Sequence, residues 1–168
     1  MNYIRNQIRL VKEKDPSIVS SSEALLHPSI KAVIYYRLSH YLYINNHKFL
    51  ARFLCMRCKK RTGIEIHPGA IIGENLFIDH GSGVVIGQTC IIGNNVTIYQ
   101  DVTLGGTGKE TGKRHPTICD NVFIGSGAKV LGNIIVGRNS KIGANAVVLK
   151  DVPEDSTAVG VPARIVNK

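Results

Sequence analysis

An aliphatic residue recurs every six positions along the second half of the chain. From residue 118 onward the series is unbroken: Ile118, Ile124, Val130, Val136, Ile142 and Val148. Four residues after each comes a small or apolar residue, in the order Val122, Ala128, Ile134, Ser140, Ala146 and Val152. A fixed short period indicates a repeat architecture, in which each unit packs on its neighbours along one axis.

The same period runs upstream in a second frame, interrupted by two longer steps. Its aliphatic members are Ile66, Ile72, Ile78, Ile86, Ile92, Ile98 and Leu104. The inward partners expected four residues later are Ala70, Leu76, Ser82, Cys90, Val96 and Val102. The step from Ile78 to Ile86 is eight residues, and the step from Leu104 to Ile118 is fourteen. The first step therefore holds two extra residues, and the second holds an excursion of eight.

A period of six predicts a mainly β fold, a solenoid in which each hexapeptide supplies one short strand and one turn. The aliphatic residue points into the prism, and the residue four positions later faces inward near a corner. Glycine and asparagine at the turns tolerate positive φ. Three hexapeptides complete one coil, so around thirteen repeats predict four to five coils.

The first 64 residues carry no such repeat and are predicted to be helical. One apolar stripe starts at Ser29, and a second helix runs from Phe49 to the basic run at 59–61. Gly63 follows, where a helix end favours glycine. We therefore expect an N-terminal helical segment at 1–64 that caps the first coil. A β-helix domain is expected at 65–168, with an excursion loop at 105–117.

Composition limits the classes of molecule that this chain is expected to bind. The chain has 168 residues and a formal charge of +9, which makes an anionic partner plausible. Its ten aromatic residues lie mostly in the first third, which argues against a base-stacking platform for nucleic acid. No apolar run reaches transmembrane length, and the charged N-terminus does not resemble a secretory signal. The expectation is a cytoplasmic protein that binds neither membrane nor nucleic acid. Cys55 and Cys58 are interpreted as ordinary reduced thiols.

The irregular steps are the places where chemistry is expected, because a regular solenoid needs no reactive side chains in its turns. His80 lies in the eight-residue step, and His115 lies in the excursion. A histidine at such a step can act as a base, backbone N–H groups can hold an oxyanion, and cationic loops can hold phosphates, which together are what acyl transfer from a thioester requires. His80 suits the base, and the backbone at Gly105 and Gly106 can approach a thioester.

Several segments resemble the serine acetyltransferase family in order and spacing. They are GIEIHPGAIIG, IDHGSGVVIG, DVTLGGTGK, KRHPTI, GSGAKVLGNI and GVPARIV. Upstream, KDPS and YYRLSHYLY are similar to that family's DP motif and its YR-x-x-H helix. The resemblance implies a left-handed parallel β-helix that forms homotrimers with active sites between subunits. It also implies transfer of acetyl from acetyl-CoA, as cosubstrate, to L-serine, giving O-acetylserine for cysteine biosynthesis, with no permanently bound cofactor and no metal.

The resemblance also implies roles for individual residues. His80 falls on the family's catalytic base, and Glu65 falls where the family usually has its partner aspartate. The residues matching those that hold the amino acid are Asp15, Asp79, Arg114 and His115. The residues matching the CoA groove are Gly106, Ser126, Lys141 and Ala144.

Two carboxylates compete for the place beside His80. Asp79 is adjacent, but neighbouring side chains in an extended segment point apart. Glu65 lies fifteen residues upstream, about one coil away and near the same edge of the prism. Glu65 is therefore the expected partner, and Asp79 is the alternative.

The chain departs from long family members at both ends. Long members carry a larger N-terminal helical domain that pairs trimers into hexamers, so a trimer is favoured here and a hexamer stays open. They also carry a C-terminal tail that inserts into the next enzyme of cysteine synthesis. This sequence ends at Asn167–Lys168, which makes that complex doubtful and leaves inhibition by cysteine open.

Three other functions fit parts of the pattern. An acetyltransferase acting on a sugar or antibiotic hydroxyl would share the fold and the base, but it has no obvious use for Asp15, Asp79 and Arg114. A zinc hydrolyase of the carbonic-anhydrase type would need paired histidines that this sequence lacks. A bare scaffold leaves both histidine-bearing excursions without a role.

Overall fold

The computed structural model describes residues 2–108 and 111–166, so Asn167 and Lys168 lie outside the described residues. Four helices come first: α1 Asn2–Lys14, α2 Ser21–Ala24, α3 Pro28–Ile44 and α4 Lys48–Thr62. Fifteen short strands follow: β1 Glu65–Ile66, β2 Ile71–Ile72, β3 Phe77–Ile78, β4 Val85–Ile86, β5 Ile91–Ile92, β6 Thr97–Ile98, β7 Thr103–Gly105, β8 Thr117–Ile118, β9 Phe123–Ile124, β10 Lys129–Leu131, β11 Ile135–Val136, β12 Lys141–Ile142, β13 Val147–Val148, β14 Thr157–Val159 and β15 Arg164–Val166.

The strands form the three faces of a left-handed parallel β-helix. Sheet A has the order β1-β4-β7-β10-β13, sheet B has β11-β8-β5-β2, and sheet C has β15-β14-β12-β9-β6-β3. Every pairing is parallel except that of β14 with the final strand β15. Successive strands therefore pass from sheet A to B to C, and the sequence expectation of a solenoid is confirmed.

The chain turns at three corners, each named by the two sheets that it joins. The C–A corner comprises residues 79–84, 99–102, 125–128 and 143–146. The A–B corner includes 67–70, 87–90, the long loop 106–116 and 132–134. The B–C corner includes 73–76, 93–96, 119–122 and 137–140.

The aliphatic series forms the core as predicted. All thirteen hexapeptide residues, from Ile66 to Val148, are buried in one continuous cluster. The strand register also shows which coils contain the two longer steps of the repeat. Glu65 pairs with Val85, Val85 with Thr103, Thr103 with Lys129 and Lys129 with Val147, so successive coils take 20, 18, 26 and 18 residues. The two extra residues and the excursion of eight account for the long coils.

One predicted inward residue is wrong. Ser82 was expected to face the core but is exposed, and Val84 is buried in its place. The two extra residues lie between Ile78 and Val84, so the inward residue keeps its distance to the following Ile86 and not to the preceding Ile78. The corner therefore bulges outward at the point where the sequence departs from its period.

The glycines that follow the aliphatic residues serve a different purpose from the one expected. Asparagine supplies positive φ at Asn75, Asn95, Asn121 and Asn139. Gly125 is not among the positive-φ residues. A Cβ on Gly125 would lie 2.8 Å from the backbone nitrogen of Ala144 in the next coil. The repeat needs glycine there because adjacent coils approach closely.

The helices cover the first coil. The α4 helix ends at Gly63, whose φ is 73° and whose N–H donates to the Lys59 carbonyl at 2.8 Å. From α3, the Tyr36 hydroxyl donates to the Ala70 carbonyl at 2.7 Å, and Arg37 donates to the Gly73 carbonyl at 2.8 Å. Capping of the first coil is thereby confirmed.

Two details of the helical segment differ from expectation. The apolar stripe was expected to start at Ser29, but α3 begins at Pro28 and His27 is its N-cap residue. Helix α1 was not predicted, because its sequence is highly charged; it is held by Val11, which packs with Ile30 and Phe77. None of the helices among the described residues has the length and apolarity needed to cross a bilayer.

Candidate active site

His80 is placed by a tight turn at the C–A corner. Its φ is 56°, and the Gly81 N–H donates across it to the Asp79 carbonyl at 2.6 Å. Left-handed backbone is uncommon for a residue with a side chain, although histidine is one of the more tolerant types. The expectation that Asp79 and His80 lie in an extended segment is therefore wrong. The turn leaves the His80 side chain exposed at the edge of the prism.

An open cavity of about 430 Å³ lies where this corner meets the helical segment. Its lining residues are Asp15, Ser17, His27, Pro28, Asp79 and His80. Three of the residues implied by the resemblance therefore meet in one place, although 64 positions separate Asp15 from Asp79 in the sequence. The cavity offers two carboxylates and two imidazoles to a small polar molecule.

Asp15 is held by the turn that follows α1. Its Oδ1 accepts hydrogen bonds from the Ser17 hydroxyl at 2.6 Å and from the Ser17 N–H at 2.9 Å. These two hydrogen bonds lower the pKa of Asp15, so the carboxylate is ionised near neutral pH. Oδ2 remains available on the cavity side, 3.8 Å from His27 Nε2.

His27 lies behind the two carboxylates and is buried. Its ring stacks on Phe77 with the centroids 5.6 Å apart. Burial lowers the pKa of His27 even though Asp15 and Asp79 act in the opposite direction. The ring is therefore neutral near pH 7.

Glu65 lies on the neighbouring coil but is not bonded to His80 among the described residues. Its backbone N–H donates to the Val84 carbonyl at 2.9 Å, close to the His80 turn. Its carboxylate accepts a hydrogen bond from Lys59 Nζ at 2.7 Å. The strand register sets Glu65 beside Val85, and its carboxylate is engaged by the end of α4.

Arg114 and His115 lie at a different corner. The Thr89 hydroxyl accepts from the backbone N–H groups of both, at 3.0 and 3.2 Å. It therefore donates its own hydrogen to His115 Nδ1, 2.8 Å away. The imidazole packs against Gly87, where any Cβ would overlap the ring. The loop end is thus fixed at the A–B corner.

The four residues expected to form the CoA groove also lie in different parts of the prism. Ser126 and Ala144 stack on successive coils of the C–A corner, where the Asn145 N–H donates to the Ser126 carbonyl at 2.8 Å. Lys141 is exposed on β12 of sheet C. Gly106 lies at the A–B corner, beside the Arg114 carbonyl.

Family models, related sequences and solved structures all point to the same family. Residues 115–150 match the family "Bacterial transferase hexapeptide (six repeats)", and residues 69–100 match "Hexapeptide repeat of succinyl-transferase". The serine acetyltransferase of Bacillus subtilis is 56% identical over 164 residues, which cover 97% of this chain and 76% of that protein. The enzyme of Staphylococcus aureus is 55% identical over 169 residues, covering 100% and 79%.

This chain belongs to the serine acetyltransferase family. Solved structures of family members superpose closely on it. Soybean serine acetyltransferase complexed with serine gives a TM-score of 0.94 at 46% identity, covering 98% of this chain and 68% of that one. The enzyme of Brucella abortus in complex with coenzyme A gives 0.94 at 44% identity, covering 99% and 67%.

Most of the residues that the resemblance implies for the site fall on two separate corners, while Glu65 lies on β1 and Lys141 on β12. The C–A corner and its cavity carry Asp15, Asp79, His80, Ser126 and Ala144. The A–B corner carries Gly106, Arg114 and His115. Sheet A lies between the two corners, so within one chain the structure brings together only part of the predicted site.

Four residues around these groups were not found from the sequence. They are Ser17, His27, Thr89 and Lys113. Ser17 had a detectable signal, because an aspartate commonly accepts from the N–H two residues later in a turn. His27 had none, since its place depends on the packing of α3 on sheet C. Lys113 Nζ donates to the Thr89 carbonyl at 2.8 Å, and burial lowers the pKa of this lysine.

Proposed function

We propose that this chain transfers the acetyl group of acetyl-CoA to the hydroxyl of L-serine, releasing O-acetylserine and CoA. The observation that carries the proposal is the cavity that joins His80 to the carboxylates of Asp15 and Asp79. A neutral sugar has no cationic group to offset two carboxylates, whereas a zwitterionic amino acid presents an ammonium group. The similarity to the serine-bound and CoA-bound family structures supports the same substrate pair.

In the proposed reaction His80 is the general base. It accepts the proton of the serine hydroxyl as the oxygen attacks the thioester carbon, since an alcohol is a weak nucleophile at neutral pH. The tetrahedral intermediate then collapses, the carbon–sulfur bond breaks, and the protonated imidazole returns the proton to the departing sulfur. Asp15 and Asp79 hold the substrate ammonium during both steps.

The remaining groups are supplied by a second subunit in this proposal. Arg114 suits the substrate carboxylate, because a guanidinium binds a carboxylate through two parallel hydrogen bonds. His115 lies beside it at the A–B corner, which is remote from His80 within one chain. A homotrimer that sets the C–A corner of one subunit against the A–B corner of the next would complete the site. The CoA groove would then combine Ser126, Lys141 and Ala144 with Gly106 of the neighbouring copy.

Glu65 is proposed as the group that orients His80 and stabilises its protonated form. The support is its position beside the His80 turn, one coil away. Lys59 competes for its carboxylate. The division into a helical segment at 1–64 and an acetyltransferase domain at 65–168, the cytoplasmic location and the absence of a bound metal or cofactor belong to the same proposal.

The proposed reaction is tested by following thiol release from acetyl-CoA with different acceptors. We expect turnover with L-serine and none above background with a panel of amino sugars and neutral sugars. Mass spectrometry of the product should show one acetyl group on the serine oxygen. Turnover with a sugar but not with serine would contradict the proposal.

The shared site is tested by mixing two inactive variants, His80→Asn and Arg114→Ala, refolded together in equal amounts. If each site combines His80 of one subunit with Arg114 of the next, random trimers regain about a quarter of the wild-type turnover. Refolding each variant alone is the control and should restore nothing. If the mixture also stays inactive although it is trimeric, both residues act within one chain.

A further inference from the structure

His27 is a buried titratable group at the cavity that the proposed mechanism does not yet use. Its side chain is 7% exposed, and it lines the cavity beside Asp15, Asp79 and His80. It is the N-cap residue of α3, so the start of that helix fixes its backbone. Its stacking on Phe77 fixes the plane of the ring.

The ring carries its hydrogen on the nitrogen that faces the carboxylates. The Ser29 N–H donates to His27 Nδ1 at 3.3 Å, so a neutral ring must be protonated at Nε2. His27 Nε2 is 3.8 Å from Asp15 Oδ2, and the ligand atoms of Asp15, His27 and Asp79 all lie within 4.8 Å of one another. The Nε2–H therefore faces the carboxylate of Asp15 from beyond direct hydrogen-bond distance, with Asp79 beside both.

This tautomer argues against a metal site at the same three residues. A cation needs the Nε2 lone pair, and freeing it would place a hydrogen on Nδ1 opposite the Ser29 N–H. Two donors would then face each other inside the protein.

The same turn of α3 also holds the backbone next to the second carboxylate. The Ser29 hydroxyl accepts a hydrogen bond from the Ile78 N–H at 3.0 Å, one residue before Asp79. Asp15 is anchored from its other side, because Ser17 occupies Oδ1. Residues 27–29 thus link the two acidic residues, which come from different parts of the chain.

We propose that His27 is a positioning residue of the ammonium site, whose Nε2–H keeps the carboxylates of Asp15 and Asp79 directed at one point in the cavity. The consequence is selectivity for acceptors with a free α-ammonium group. This inference rests on the proposed function, since it assigns a residue to the binding of serine.

The test compares His27→Gln with His27→Asn. The amide nitrogen of glutamine reaches the place of Nε2, whereas that of asparagine reaches only the place of Nδ1. We expect His27→Asn to raise the KM for serine about tenfold, because misdirected carboxylates lose about one hydrogen bond to the substrate ammonium, with kcat within about twofold and the KM for acetyl-CoA unchanged. His27→Gln should stay within about threefold of the wild-type KM for serine.

The acceptor 3-hydroxypropionate, which lacks the ammonium group, gives a second readout. The preference of the wild type for serine over this acceptor should shrink in His27→Asn. His40→Asn is the matched control, because His40 lies on the same helix and its Nδ1 bonds the Pro68 carbonyl at 2.8 Å, away from the cavity. It should leave the serine KM unchanged.

Each alternative gives a distinct result. Equal serine KM values for His27→Asn and the wild type would overturn the role of His27 while leaving the proposed function intact. A wild-type enzyme that does not acetylate serine would overturn the proposed function itself. If a chelator raised the wild-type serine KM to the level of His27→Asn, the three residues would hold a cation and the inference would be wrong.

Discussion

The B–C and C–A corners of the prism both need left-handed backbone, but they use different residues to provide it. At the B–C corner four asparagines stack coil on coil, all with φ between 57° and 59°: Asn75, Asn95, Asn121 and Asn139. Each side-chain amide donates to the next, at 2.9 to 3.1 Å, and Asn139 donates to the carboxylate of Asp155. The corner is a continuous ladder of identical side chains.

The C–A corner has no such ladder among the described residues. Its left-handed positions are filled by mixed residue types: Gly81, Gly83, Asp101, Gly127 and Asn145. His80 is an additional left-handed residue, created by the two inserted residues. The comparison shows that a corner whose side chains are bonded to one another stabilises the coil, while a corner interrupted by an insertion leaves a side chain free for chemistry.

The largest effect should come from replacing His80, at the C–A corner, with asparagine, the residue that forms the ladder at the B–C corner. His80→Asn keeps a residue that tolerates positive φ but removes the base, so turnover should fall roughly 10²- to 10⁴-fold. The melting temperature and the affinity for acetyl-CoA, measured by calorimetry, should stay near the wild-type values. Near-normal turnover in the folded variant would remove His80 from the mechanism.

Smaller losses of activity should distinguish the roles of Glu65 and Asp79, the two acidic residues near His80. Glu65→Gln should lower kcat by about tenfold or more, because an amide does not stabilise the imidazolium, and should leave the serine KM unchanged. Asp79→Asn should mainly raise the serine KM. Steady-state kinetics of both variants decide the assignment. A fully active Glu65→Gln enzyme with a low kcat in Asp79→Asn would transfer the orienting role to Asp79.

Changes in the ladder should affect stability and not catalysis. Asn121→Gly removes two amide hydrogen bonds but keeps the left-handed turn, so it should cost about 1 to 2 kcal/mol. Asn121→Ala should cost about 1 to 2 kcal/mol more, because a Cβ is disfavoured there. Denaturant unfolding at matched protein concentration measures both losses. Turnover of the folded enzyme should not change, and a drop in kcat would show that the two corners are coupled.

The smallest effect concerns His67 at the A–B corner. Burial, with help from Arg52, His115 and Arg114, lowers the pKa of His67 to about 4. The unfolded chain therefore binds a proton between pH 6.5 and about 4 that the folded chain does not, so stability falls as the pH is lowered through that range. Partial exposure limits the contribution to on the order of 1 kcal/mol.

His67→Asn removes this titration and keeps an acceptor for the Gly69 N–H, which bonds His67 Nδ1 at 2.9 Å. Its stability should change less than that of the wild type between pH 6.5 and 4. Parallel curves for the two proteins, from unfolding at several pH values, would assign the acid sensitivity to other groups.

The repeat was readable from the sequence because each of its requirements is local. An inward aliphatic residue, a slim partner and a left-handed asparagine recur within six residues, and burial in a narrow prism enforces the period. The two long steps were equally readable, and they located His80 and His115. Even there the sequence missed the exchange of Ser82 for Val84, since the period does not tell where inside a step the extra residues bulge outward.

The site itself was decided by the tertiary structure. Asp15, His27 and His80 meet only because α1 and α3 pack on sheet C, through contacts such as those of Val11 and Ile30 with Phe77. These contacts join apolar surfaces far apart in the chain and leave no periodic trace. Local contacts with Ser29 and Ser17 set the tautomer of His27 and the orientation of Asp15, and the packing brings the two residues together. The sequence by itself determined the prism and the residues with reactive chemistry, while only long-range packing decided which of them share a cavity.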